Sequence, residues 1–155
     1  MRTISRRSSR TGLAYVAVRV VVYLAALAPI VLIYSTKERA LVVAPPIGLI
    51  CAAATWFLLG DTPANRERRL FLAAGVGIVA AELAWGLGYW AVAPVIGGAA
   101  LWLVFYVLSG IVEHGAAQTL DRRIALEYGF VATLGMLILL VFMLLFLPPW
   151  RVQVG

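Results

Sequence analysis

The residue most able to do chemistry in this chain is Glu82, a single carboxylate within the otherwise apolar stretch Leu70 to Trp90. A run of about 20 apolar residues is long enough to cross a bilayer as an α-helix. Ionisable residues inside such helices are rare, and they commonly belong to proton or ligand sites. Glu82 is therefore a candidate intramembrane proton site.

Two further polar groups are predicted at the depth of Glu82. Glu82 lies eight residues from Trp90, roughly 12 Å below the helix end, and Trp102 lies equally far from the start of its own helix. In the first helix, Pro29 has no N–H to donate, so it frees the carbonyl of Ala25. We expect a protonated Glu82 to donate to that carbonyl and to accept a hydrogen bond from the Trp102 indole.

A second group of polar side chains lies on one face of the fourth predicted helix, at helical spacing: Trp102, Tyr106, Ser109 and Glu113. Arg19 lies roughly 9 Å inside the first helix from the same side of the membrane. Because its side chain leans towards the helix N-terminus along apolar surface, Arg19 is a candidate ion-pair partner of Glu113 or Glu127. Contact with lipid phosphate and an anion or substrate site are the alternatives.

Enzyme chemistry is not supported by the remaining reactive residues. His114 is the only histidine and Cys51 the only cysteine. His114 follows Glu113 directly, and neighbouring helix positions do not face each other. The chain also offers no nucleophile, base and orienting group at helical spacing, and no conventional His/Cys metal site. We predict no catalytic residue, no metal and no cofactor.

Composition indicates the class of protein that holds these groups. The 155 residues are 63% hydrophobic and 13% charged, whereas soluble domains are about half apolar and a quarter charged. The net charge is +6, but the arginines gather at the ends of apolar runs, where they act as topology signals rather than as a nucleic-acid surface. The prediction is an all-α polytopic integral membrane bundle, with the lipid bilayer and no nucleic acid as partner.

A single five-helix transmembrane domain is predicted over residues 13–147, between a basic cytoplasmic N-terminal tail (residues 1–12) and a short external tail (residues 148–155). The predicted spans are residues 13–34, 40–59, 70–90, 94–113 and 120–147. Pro45 and Pro46 are expected in the first turn of the second helix. Thr119 is expected to cap the fifth.

The distribution of basic residues predicts the orientation. Nine of them fall on one side: Arg2, Arg6, Arg7, Arg10, Arg66, Arg68, Arg69, Arg122 and Arg123. Three fall on the other: Lys37, Arg39 and Arg151. This bias places the N-terminus in the cytoplasm and the C-terminus outside. The strong preference for arginine over lysine is typical of GC-rich bacterial genomes, so we expect a bacterial inner membrane.

Packing surfaces can also be read from the third helix, where small residues recur on one face: Gly77, Ala81, Ala84 and Gly88. Small residues let membrane helices approach closely. An adjacent stripe carries the carboxylate: Gly75, Val79, Glu82 and Gly86. An ionised Glu82 roughly cancels the 3 to 4 kcal/mol insertion gain of this helix, so the helix requires protein neighbours, a proton on Glu82, or both. The fifth helix inserts easily and is expected at the periphery or in an assembly contact.

Two functions fit these features. Small-residue faces, the lack of a catalytic set and the lack of a soluble domain favour a non-enzymatic accessory, assembly or scaffolding subunit of a larger membrane complex. The alternative is a small homo-oligomeric transporter or proton-coupled channel that uses Glu82. A membrane-embedded enzyme acting on lipid through Glu82, or through Glu113 and His114, is the third hypothesis.

Overall fold

Helices account for all the regular structure in the computed structural model, which describes residues 4–36, 38–89 and 93–146. No strand occurs in this part of the chain. The elements are, in order, α1 Ile4–Ser35, α2 Ala40–Leu58, a short 3-10 turn Leu59–Asp61, α3 Arg66–Leu87, α4 Pro94–Ala116 and α5 Arg122–Phe146. Each α-helix contains a segment long and apolar enough to span a membrane. The prediction of an all-helical protein with five such helices is confirmed.

Several helix ends differ from the expected ones. The helix α1 begins at Ile4, so most of the segment predicted as an N-terminal tail is helical. Pro45 and Pro46 lie inside α2 rather than at its start, because the first turn already forms at Ala40. Trp90, Lys37 and the predicted external tail lie outside the described residues.

The connection between α4 and α5 corrects the predicted cap of the fifth helix. Thr119 does not cap α5; its hydroxyl lies 3.2 Å from Nδ1 of His114, and its N–H donates to the His114 carbonyl. Gln118 adopts a positive φ of 54° and donates its N–H to Gly115, which completes a Schellman ending of α4. Asp121 precedes α5 instead, and its Oδ1 accepts from the N–H of Arg122.

The closest helix contact joins α2 and α3. A Cβ on Gly77 would lie 2.6 Å from the carbonyl oxygen of Gly48, and a Cβ on Gly48 would lie 2.8 Å from that of Gly77. The two backbones therefore touch, which only glycine allows on both sides. Ala81 also lies against Gly48, Ala84 is fully buried, and Gly88 lies against Ala40. The predicted small-residue stripe thus forms the seam with α2.

The helices α1 and α4 complete the four-helix core, and α5 packs on the outside of α4. Ile30 of α1, Ile47 of α2 and Phe105 of α4 are fully buried between them. No residue in the membrane-length segment of α5 is buried. Its contact with α4 is made by Tyr128 against Gly110, and by Gly135 against Leu103.

Candidate functional site

Glu82 lies on the exposed side of α3 and not in the helix bundle. The Gly48–Gly77 contact sets the rotation of α3, and Glu82 is turned about 140° from Gly77 at 3.6 residues per turn. Its carboxylate makes no hydrogen bond or ion pair with any residue in the described part of the chain. The predicted meeting of Glu82 with Trp102 and the Ala25 carbonyl is therefore wrong, since α3 presents its opposite face to the core.

The indole of Trp102 has a different acceptor. Its Nε1 donates to the carbonyl oxygen of Tyr23 at 2.9 Å, so the bond joins α4 to α1. Tyr106, one turn further along α4, stacks on Trp102 with ring centroids 6.0 Å apart. Both aromatic residues face α1 rather than Glu82, and they belong to the second polar group that the sequence predicts.

The structure brings Arg19 and Glu113 together. Nη2 of Arg19 forms an ion pair with Oε1 of Glu113, and the two side chains are 24% and 9% exposed. Glu127 does not share this contact; its carboxylate pairs with Arg123 at 3.3 Å on an exposed surface of α5. Of the two predicted acidic partners, Glu113 is the one that pairs with Arg19, because it lies on the buried side of α4.

Tyr23 links these groups, and sequence reasoning missed it. Its hydroxyl lies 3.2 Å from Oγ of Ser109, and Ser109 in turn donates to the carbonyl of Tyr106 at 3.1 Å. The ring of Tyr23 contacts that of Tyr106 edge-on, with centroids 5.0 Å apart. Tyr23 is four residues from Arg19 and thus on the same face of α1, which is the signal that identifies it.

The polar groups between α1 and α4 therefore satisfy one another. We call this set the α1–α4 network: Arg19, Tyr23, Trp102, Tyr106, Ser109 and Glu113. A partly buried ion pair and hydrogen bonds of this kind set the alignment of two helices. The network therefore connects α1 to α4 through an ion pair and hydrogen bonds.

His114 lies at the edge of this network, where it contacts Tyr128 of α5 and Thr119 of the connection between α4 and α5. Its ring contacts Tyr128 with centroids 5.8 Å apart, and its Nδ1 lies near the Thr119 hydroxyl. Cys51 is buried in α2. Among the described residues, no group of three or more His, Cys, Asp or Glu side chains could hold a metal ion.

Glycines on the exposed side of α3 have no close neighbour, unlike Gly77 on the side that packs against α2. A Cβ added to Gly75 or Gly86 would meet nothing within 4 Å. These two glycines flank Glu82 on one stripe of the helix, with Val79 between them and 39% exposed. Nothing within the described chain therefore requires the absence of a side chain at either position.

At the start of α3, Arg69 contacts Trp56 in the last turn of α2, another contact that the sequence did not predict. Its guanidinium lies 4.8 Å from the centroid of the Trp56 ring, and Nη2 donates to the Trp56 carbonyl at 3.3 Å. Asn65 caps the helix by accepting from the N–H of Arg68 at 2.9 Å. These contacts fix the end of α3 against the end of α2.

This architecture defines a small protein whose described part is a bundle of five helices of membrane-spanning length and composition. The chain belongs to the family described as "Protein of unknown function (DUF5656)", which matches residues 1–143. No curated protein and no solved structure matches the chain.

Proposed function

We propose that this protein is a multi-pass protein of the bacterial inner membrane that acts as a non-enzymatic accessory, assembly or scaffolding subunit of a larger membrane complex. Its N-terminus lies in the cytoplasm and its C-terminus outside, as the bias of basic residues favours. The single observation that carries the proposal is the position of Glu82 on the outer side of α3.

A carboxylate in that position is unfavourable in an isolated protomer. With α3 spanning the bilayer, Glu82 faces hydrocarbon, and a charge near the middle of a membrane helix costs about 2.5 to 3.5 kcal/mol on the insertion scale. The neighbours Val79 and Leu83 are apolar and partly exposed, so they offer it no hydrogen bond. A second protein chain covering this side of α3 removes the cost.

The interior of the bundle supports a structural role as well. The ion pair between Arg19 and Glu113 joins helices α1 and α4, and the hydroxyls of Tyr23 and Ser109 lie within hydrogen-bond distance. Groups that satisfy one another in this way stabilise a scaffold. Glu82 on the outer side of α3 does not take part in these contacts, so a partner protein is expected to supply its polar neighbours.

The same carboxylate supports the second candidate, a homo-oligomeric transporter or proton-coupled channel. In that case two or more copies would meet at α3 and enclose Glu82. A transport pathway also requires polar lining around the coupling residue, and the stripe that carries Glu82 contributes only Gly75, Val79 and Gly86. This observation favours the subunit function.

Native mass measurement after gentle detergent extraction tests the proposal. The tagged protein, expressed at its natural level, should migrate with stoichiometric partner subunits. The variant Glu82→Leu should lose those partners, whereas Glu127→Gln, which removes an exposed carboxylate from α5, should retain them. A lone homodimer with proton flux that depends on Glu82 would refute the subunit proposal and support the transporter.

The orientation has its own test. A reporter enzyme that is active only outside the cytoplasmic membrane should be active when fused to the C-terminus and inactive when fused to the N-terminus. The reverse pattern would overturn the proposed topology.

A further inference from the structure

We infer that the outer face of α3 is a docking face for one transmembrane helix of a different protein, and that this helix carries an arginine or lysine at the depth of Glu82. The docking face consists of Gly75, Val79, Glu82 and Gly86. The inference rests on the proposed subunit function and adds to it the surface and the chemistry of the partner.

The two glycines of the docking face indicate close approach by another backbone. Glycine in a helix interior costs about 1 kcal/mol relative to alanine. The close contact with Gly48 explains why position 77 is a glycine, but a Cβ at Gly75 or Gly86 would enter open space. Small residues around a polar group are the surface on which membrane helices pack most closely. The docking face therefore has the shape for a helix rather than for lipid chains.

The charge of the docking face selects a cationic partner. A carboxylate in hydrocarbon is stabilised by an opposite charge or a hydrogen-bond donor at the same depth. Two arginines lie equally far into described membrane-length segments, Arg19 and Arg69. Arg19 is paired with Glu113, and Arg69 lies against Trp56, so neither is paired with Glu82. The cation for Glu82 must come from another molecule.

A second copy of this chain fits the docking face less well. Two copies related by a twofold axis present the same surface to each other, so Glu82 would face the partner's Glu82. Two carboxylates at close range repel each other. A helix with a basic residue supplies the complementary charge without that conflict.

The probe is a synthetic leucine–alanine helix of about 21 residues, long enough to span a bilayer, with one central arginine. It is reconstituted in liposomes with the full-length protein, and association is measured by energy transfer between a dye on the peptide and a dye at the protein C-terminus. Two comparison peptides carry glutamine or leucine at the central position. We expect the arginine peptide to associate about tenfold more tightly than the glutamine peptide.

Variants connect the measured preference to the docking face. Glu82→Gln should abolish the preference for arginine, and Gly86→Leu should weaken binding of every peptide. Gly129→Leu is the matched control, because Gly129 lies on α5 and also has open space at its Cβ position. A Cβ at Gly86 or Gly129 would meet nothing within 4 Å in the described chain, so we expect both variants to fold.

Three results would overturn the inference. They are equal binding of the arginine and glutamine peptides, an arginine preference that survives in Glu82→Gln, and, with two differently labelled samples of the protein, energy transfer between copies of the protein but not to any peptide. These results are distinguishable from failure of the proposed function. Native partners without an arginine preference would refute the docking chemistry alone. A lone homodimer in native extracts, together with a Glu82-dependent arginine preference in liposomes, would refute the subunit function alone.

Discussion

The contact between Gly48 and Gly77 makes a quantitative prediction about what holds α2 and α3 together. In Gly77→Ala, the new Cβ would lie 2.8 Å from Cβ of Ala52, about 0.7 Å short of an optimal carbon contact of roughly 3.5 Å. It would also lie 2.6 Å from the carbonyl oxygen of Gly48. Since that oxygen is backbone, the clash cannot be relieved by a rotamer change, and the helices must separate.

Overpacking of this kind costs about 1 to 3 kcal/mol. The matched control is Gly75→Ala, two residues away in the same helix, where the added Cβ meets nothing within 4 Å. That variant should be neutral or gain up to about 1 kcal/mol from helix propensity. The two alanine variants should therefore differ by about 1 to 4 kcal/mol in the free energy of unfolding.

The assay is equilibrium unfolding of the purified protein in mixed micelles by titration with SDS, followed by tryptophan fluorescence. Gly77→Ala should unfold at a lower SDS fraction than the wild-type protein, and Gly75→Ala should not. If both variants unfold at the wild-type midpoint, the close backbone contact does not stabilise the pair. If Gly75→Ala is as damaging as Gly77→Ala, the assigned rotation of α3 is wrong.

Three other predictions concern single contacts. Glu113→Arg should destabilise the bundle by about 3 to 5 kcal/mol, because it leaves Arg19 beside a like charge. Adding Arg19→Glu to that variant should restore stability. A double variant no more stable than Glu113→Arg alone would contradict the ion pair. Gln118→Gly should raise the thermal midpoint, with a gain of about 1 kcal/mol, because glycine adopts a positive φ without strain; an unchanged midpoint would argue against the Schellman ending. Tyr34→Phe should cost about 0.5 to 1.5 kcal/mol in SDS unfolding by removing the hydrogen bond from its hydroxyl to the carbonyl of Leu87, and a wild-type midpoint would show that this bond does not contribute.

Much of the helix pattern follows from local properties of the sequence. Hydropathy and length predict five membrane-length helices, because a helix satisfies its own backbone hydrogen bonds within one segment. The expected span over residues 94–113 starts where α4 starts, at Pro94. Small residues at helical spacing likewise predict a packing face on α3, and the structure puts that face against α2.

Helix ends were less predictable where the chain leaves the apolar segments. Thr119 has the residue type of a cap, but its hydroxyl is engaged by His114 at the end of α4. The cap of α5 thus depends on how the preceding helix stops. That in turn depends on Gln118, a residue with no marked preference for positive φ.

The sequence determines which polar groups share a helix face. Helical spacing placed Trp102 and Glu113 on one side of α4, and both residues contact α1 in the structure. Which groups meet across helices depends on the rotation of each helix about its axis. Depth alone allowed Glu82 and Trp102 to be paired, because both lie at a similar distance from a helix end. Tertiary packing separated them: the backbone contact at Gly77 turns Glu82 outwards, while Tyr23 of α1 accepts the Trp102 hydrogen bond. The sequence by itself determined that a carboxylate lies within a membrane-length helix; only the tertiary structure decided that it faces away from its own bundle, because close approach of two glycines leaves α3 a single rotation.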